Sequence, residues 1–246
     1  MGILLLSAAA GICGTGAGGV LTVMLGRRSA GMLCGLLSFA SGVMISVVCF
    51  GLIPEAIEIS NMPTAISGLI LGVVIIMPLN RLVDIAAEKR YRNSGLLLRK
   101  AFLRSGLIMM TAIGLHNIPE GVAIGAGGSR DVQFGILLAV MIALHDIPEG
   151  MAIAAPLMAG GISKAKTVLL TVLSGAPTLL GGMFGLWFGN ISDAAIALSL
   201  SAAGGAMLYV VFGEIIPQVV HMRRDRFSTI VTLIGILAGL LVCSMS

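Results

Sequence analysis

Six polar residues stand out in an apolar chain: His116, Asn117 and Glu120, then His145, Asp146 and Glu149. They occupy two near-copies of one stretch, LHNIPEGVAI at 115–124 and LHDIPEGMAI at 144–153, offset by 29. In each copy His and Glu are four residues apart, so on a helix they face the same side. Asn117 and Asp146 follow the histidines by one residue, rotated by about 100°, and share a flank with the glutamates. Two antiparallel helices presenting these faces to each other make a cluster of two imidazoles and two glutamates, with an Asn/Asp pair beside it. Imidazole plus carboxylate without thiolate suits Zn²⁺, and also Fe²⁺, Mn²⁺, Co²⁺ or Cd²⁺.

Both copies lie inside long apolar segments. An ionisable residue at a bilayer centre costs roughly 2.5–3.5 kcal/mol, so three unpaired carboxylates cost about 8–10 kcal/mol. No Lys or Arg falls within either segment to neutralise them. An exchangeable cation is the simplest partner. Pro119 and Pro148 each remove one backbone hydrogen bond and free a carbonyl one turn back, at Leu115 and Leu144. Broken helices of this kind are tolerated where they line a cavity.

The elements that must position these residues follow from composition. Of 246 residues, 57% are hydrophobic and 11% charged, with mean hydropathy +1.07. A soluble domain carries about 25% charge. Runs of about 20 apolar residues span a bilayer as helices, and the chain predicts eight: 3–25, 31–59, 64–83, 106–127, 133–158, 165–188, 195–219 and 229–245. The fold class is an all-α integral membrane protein, one transmembrane domain over 1–246. The first segment reads as a retained span, because no basic stretch precedes it and no cleavage site follows. The 34 glycines suit close helix packing. Cys13, Cys34, Cys49 and Cys243 are scattered and read as small packing residues, not a disulfide framework.

Fourteen of the fifteen Lys and Arg fall in the loops after spans one, three, five and seven; only Arg130 lies opposite. By the positive-inside rule both termini are non-cytoplasmic in a multi-pass protein of the cell membrane (inner or plasma membrane). The +4 charge is therefore a topology signal, not a nucleic-acid footprint. A second, weaker repeat pairs span two with span seven. At an offset of 163, Gly42, Met44, Val47, Val48, Ile53 and Pro54 match Gly205, Met207, Val210, Val211, Ile216 and Pro217. The copies run in opposite directions, as in transporters built on inverted repeats, whose sites lie near the midplane.

HNIPEG followed by HDIPEG resembles the ZIP (Zrt/Irt-like) family of divalent-metal transporters, in particular its short, broad-substrate bacterial-type members. The resemblance covers the whole chain. It implies a 3+2+3 bundle, with spans one to three and six to eight as inverted repeats around spans four and five. It carries a first metal site onto His116, Glu120, His145 and Glu149, with Met44 as a soft contact. A second site falls on Asn117 and Asp146, sharing Glu120 and Glu149. Many relatives add a Glu before the proline of span six; here Ala176 precedes Pro177. Residues 84–105 contain no His, so the His-rich loop of many relatives is absent.

Glu214, deep in span seven, is a further candidate ligand, and Glu55 and Glu58 are candidate stepping stones at the outer end of span two. His221 reads as solvated, and Trp187 and Tyr209 as interface anchors or packing. The implied function is secondary transport of Zn²⁺ and related divalent cations into the cytoplasm by alternating access. The metal is substrate and no cofactor is expected. The partners are divalent ions and the lipid bilayer, with a homodimer left open. The alternatives are an intramembrane metalloenzyme, which lacks an HExxH motif, and a cation channel.

Overall fold

The computed structural model describes residues 2–26, 30–91, 97–187, 192–222 and 226–244, and these residues are almost wholly helical. Span one is Gly2–Leu25. Span two runs from Ala30–Val47 through a wide π-helical turn, Val48–Leu52, into Ile53–Ile59. Span three is Met62–Tyr91, span four Leu97–Arg130 and span five Val132–Ala159. Span six is two helices, Lys164–Gly175 and Pro177–Trp187. Span seven passes from Asp193–Val210 through a second π-turn, Val211–Ile215, into Ile216–Met222, and span eight is Arg226–Cys243.

Seven of these segments are long and apolar enough to cross a membrane, and the apolar start of span three, Met62–Pro78, is a shorter eighth. The chain is a multi-pass membrane protein. Spans three and four are longer than their apolar runs, because the Lys- and Arg-bearing ends between them continue as helix. Arg27, Arg28, Arg92, Arg223 and Arg224, which the charge asymmetry uses, lie outside the described residues.

Each π-turn ends two residues before a proline, Pro54 or Pro217. A proline ring clashes with the carbonyl four residues back. Widening the helix relieves that clash: Ile53 N–H reaches Val48 O, and Ile216 N–H reaches Val211 O. Such turns recur at functional sites.

Spans four and five pack against each other at the centre. Span one lies on five, six on four, two on both eight and five, and seven on both three and four. The polarity of a water-soluble protein is inverted. Ile70, Val74, Leu180, Phe184, Leu237 and Leu241 are exposed, whereas Ser7, Thr15, Ser41, Thr171, Ser174 and Ser201 are buried. Lipid tails satisfy the former. Most of the latter return hydrogen bonds to their own helices, as in Thr15 Oγ1 to Gly11 O (2.7 Å) and Ser201 Oγ to Ala197 O (2.6 Å), whereas Ser7 Oγ donates to Thr178 O of span six (2.8 Å).

Glycines let backbones touch. A Cβ on Gly18 would collide with the Ile147 carbonyl of span five, and one on Gly181 with the Ile118 carbonyl of span four. Gly42 approaches Thr232 O in the same way, and Gly205 approaches Leu69 O. A leucine at Gly18 must therefore separate spans one and five. Gly18→Leu is expected to cost roughly 1–3 kcal/mol, as overpacking does, seen as a lower melting temperature in detergent; an unchanged melting curve would contradict this packing.

Candidate metal centre

Pro119 and Pro148 sit inside continuous helices, so the two histidine–glutamate faces keep helical spacing. The glycine after each glutamate faces outward from the pair. A Cβ on Gly121 would meet the Thr178 carbonyl of span six, and one on Gly150 the Thr15 carbonyl of span one. Spans six and one can thus close over the flanks while the polar faces turn to each other.

All six motif residues are at least 95% buried. Glu120 Oε1 receives both imidazoles: His145 Nε2 at 2.6 Å and His116 Nε2 at 2.9 Å. His116 Nε2 is also 3.5 Å from Glu149 Oε1, and His145 Nε2 is 3.7 Å from Asp146 Oδ1. Two sets of ligand atoms lie within 4.8 Å of one another: His116, His145 and Glu149, and Glu120, His145 and Asp146. The residues expected at the first site come together, and Asp146 joins them through His145.

His145 Nδ1 lies 3.1 Å from the Met141 carbonyl. A carbonyl only accepts, so this nitrogen carries the proton, and a neutral His145 presents its Nε2 lone pair to the carboxylate of Glu120. At 2.6 Å a proton or a metal ion lies between Nε2 and the carboxylate. A histidine held through Nδ1 in this way is oriented so that its Nε2 can ligate a metal.

Much of the donor set lacks any other partner. Both nitrogens of His116, Glu120 Oε2, and both carboxylate oxygens of Asp146 and Glu149 are buried without a hydrogen bond. Polar groups left this way are rare in folded proteins, and a cluster of them could hold a metal ion. Asn117 differs. Its Nδ2 donates to Ser174 O (2.9 Å), next to the interruption at Ala176, while Oδ1 stays unpaired. The side chain thus ties span four to span six and keeps one acceptor available. Every donor of the cluster comes from one chain.

The remaining candidates lie elsewhere. Met44 is buried in the main apolar core with Met109, Ile113 and Ile153. Glu214 is 3.9 Å from Arg104 Nη2. Glu214 is not in the clustered sets of His, Cys, Asp and Glu among the described residues. His221 and Trp187 are exposed, and Tyr209 packs against the core. Glu55 and Glu58 line a cavity of ≈ 420 Å³ that also reaches Glu120 and His145. It opens toward the ends of spans two, four and eight. At the opposite end Arg99 Nε donates to Gly160 O (3.1 Å) and Ser105 to Gln218 (3.2 Å). Sequence reading missed the contacts from Asn117 to Ser174 and from Arg104 to Glu214, each between residues far apart in the chain.

Comparison with known proteins identifies relatives of the chain. Residues 90–246 match the family model described as ZIP Zinc transporter. The chain is 30% identical to a protein named Zinc transporter ZupT from Corynebacterium efficiens, over 94% of this chain and 91% of that protein. A second ZupT, from Akkermansia muciniphila, is 30% identical over 99% and 95%. The Zinc transporter GufA of Myxococcus xanthus is 38% identical over 46% of this chain.

Removing the Asn117 amide leaves the Ser174 carbonyl without its donor. Asn117→Leu is expected to cost roughly 1–3 kcal/mol, measured as a lower melting temperature in metal-free detergent; equal stability would contradict the tie between spans four and six.

Proposed function

The chain belongs to the ZIP zinc transporter family, and on that premise we propose that it imports Zn²⁺ and related divalent cations, Fe²⁺, Mn²⁺, Co²⁺ and Cd²⁺ among them, into the cytoplasm. ZIP proteins are transporters, not enzymes, which sets the metalloenzyme reading aside. The observation that carries the proposal is the 2.6 Å approach of His145 Nε2 to Glu120, with His145 Nδ1 held by a carbonyl. A proton or a metal ion reconciles those two groups, and the unpaired donors of His116, Asp146 and Glu149 around them suit a metal ion.

His116, Glu120, His145 and Glu149 hold the ion in this reading, and Asp146 and the Asn117 Oδ1 stand beside it. Glu214 and Met44 act along the path to and from this position in the same reading. Ala176 leaves the neighbouring position one carboxylate short of many relatives. Two divalent ions a few ångströms apart repel strongly in a low dielectric, so one tightly held ion per protomer is the expected occupancy.

The cavity that reaches Glu120 and His145 is, in this reading, the access from the side of the chain termini, which is the non-cytoplasmic side. Release then requires the opposite end, now held by Arg99, Ser105 and Arg104, to open: alternating access. The matching glycine contacts support a 3+2+3 arrangement. Gly42 with Thr232 corresponds to Gly205 with Leu69, both pairs related by 163 residues.

Glu120→Gln keeps the size of the side chain and removes the charge that both imidazoles face. Uptake of ⁶⁵Zn²⁺ into proteoliposomes should fall by more than about tenfold, the scale of losing a metal-site partner, while the variant still inserts and elutes as the native protein does. Wild-type uptake would sink the site assignment.

Both histidines must give up a proton to ligate metal. An ordinary histidine titrates near pH ~6.5, so proton competition strengthens below that value. Zn²⁺ affinity is expected to drop by more than about tenfold between pH 7.5 and 5. A flat titration curve over that range would count against histidine ligation.

A further inference from the structure

Spans two and seven carry matching residues in opposite settings. At the offset of 163, Val47, Gly51 and Glu55 correspond to Val210, Glu214 and Gln218. Val47, Gly51 and Glu55 all line the open cavity. Their counterparts are covered. Val210 is buried, Glu214 Oε1 stands 3.9 Å from Arg104 Nη2, and Gln218 Oε1 accepts from Ser105 Oγ at 3.2 Å. The two covering residues are neighbours on span four, the helix that carries His116 and Glu120. They act far from the cavity. Ile196 and Leu200 of span seven line the cavity, and Glu214 follows Leu200 by fourteen residues, about 21 Å along a helix. One copy of the repeat thus lines an open path, and the other is stopped by two adjacent side chains of span four.

Resting on the transport reading and the inverted repeat above, we propose that Arg104 is a tethered cation that latches the inner end of the ion path, holding Glu214 and shutting Val210 and Gln218 away from the cytoplasm. Inverted repeats exchange their settings as access alternates. In the inward-open state Val210, Glu214 and Gln218 therefore line a cavity as Val47, Gly51 and Glu55 do now, and Arg104 has left Glu214. The chemistry suits a latch. A guanidinium keeps its charge at any working pH, so it competes with a divalent ion for the Glu214 carboxylate. An ion leaving the central donors meets that carboxylate only after Arg104 withdraws. While the latch is shut, the same charge repels cations arriving from the cytoplasm. Arg104 is partly exposed at this contact, and ion pairs in such settings contribute little stability, so the latch opens readily. Because it joins the helix of His116 and Glu120 to span seven, its release frees the donor helix itself.

The test uses the full chain in inside-out membrane vesicles, whose outer face is the Lys- and Arg-bearing side. The reporter is Val210→Cys. Its labelling by a membrane-impermeant methanethiosulfonate is followed by peptide mass spectrometry at position 210. Adding Arg104→Gln is expected to raise the labelling rate by about two- to fivefold, the scale of a partly exposed ion pair. Arg104→Glu sets like charges together and should raise it further. The exchange pair, Arg104→Glu with Glu214→Arg, should return the rate toward its starting value, which a merely structural loss would not do. Unchanged labelling in Arg104→Gln, or labelling that stays high in the exchange pair, would overturn the latch. A second measurement needs no reporter and stands even where Val210→Cys does not assemble. Uptake of ⁶⁵Zn²⁺ into the same vesicles from the arginine side should rise severalfold in Arg104→Gln, and an unchanged rate would contradict the proposal. Wild-type uptake by Glu120→Gln is a separate result that overturns the central site and leaves the labelling comparison standing.

Discussion

His145 Nε2 and Glu120 Oε1 are 2.6 Å apart inside a helical membrane protein, and a neutral His145 whose Nδ1 donates to Met141 O turns the Nε2 lone pair to the carboxylate. Around that contact stand His116, Asp146 and Glu149, with lone pairs that no other protein group meets. Two like charges 4 Å apart cost about 4 kcal/mol at an effective dielectric near 20. Three carboxylates within this volume are therefore stable only with cations among them, whether protons or metal. Much of the remaining architecture serves this constraint. Gly121 and Gly150 let spans six and one close over the flanks, and Asn117 ties span four to the interrupted span six. The prolines stay within continuous helices, so the donors keep their facing registers.

The two ends of the bundle differ in a way that suits directional movement of an ion. A cavity with few charges reaches the donors from the side of the termini. The far end is held by Arg99 on the Gly160 carbonyl just past span five, by Ser105 with Gln218, and by Arg104 near Glu214. Spans two and seven, each bent through a π-turn before a proline, lie between the central pair and the outer spans eight and three. Helices with a built-in wide turn can rearrange locally without breaking the bundle.

The donor cluster was legible in the sequence because its information is local. His116 with Glu120 and His145 with Glu149 need only helical spacing, and the absence of Lys and Arg from both segments is visible by inspection. The helical membrane class followed from composition alone. What depends on long-range packing was not legible. The sequence places Asp146 beside Glu120, and the structure groups those two with His145 as well. Ser174 O, freed beside the interruption at Ala176, meets Asn117 across 57 residues. Cys243, unremarkable among scattered cysteines, reaches the cavity wall only once span eight packs on span two. The π-turns had a sequence signal, Pro54 and Pro217 at matching places in the repeat, but a proline alone does not distinguish a kink from a wide turn.

The central claim is that nitrogen and oxygen donors of spans four and five hold a divalent ion. Zinc K-edge absorption of the purified protein loaded with one equivalent of Zn²⁺ tests it most directly. A shell of nitrogen and oxygen at about 2.0–2.1 Å with scattering from two imidazoles, lost in Glu120→Gln, is the expected result. A shell dominated by sulfur at about 2.3 Å, or a bound ion without imidazole scattering, would contradict it.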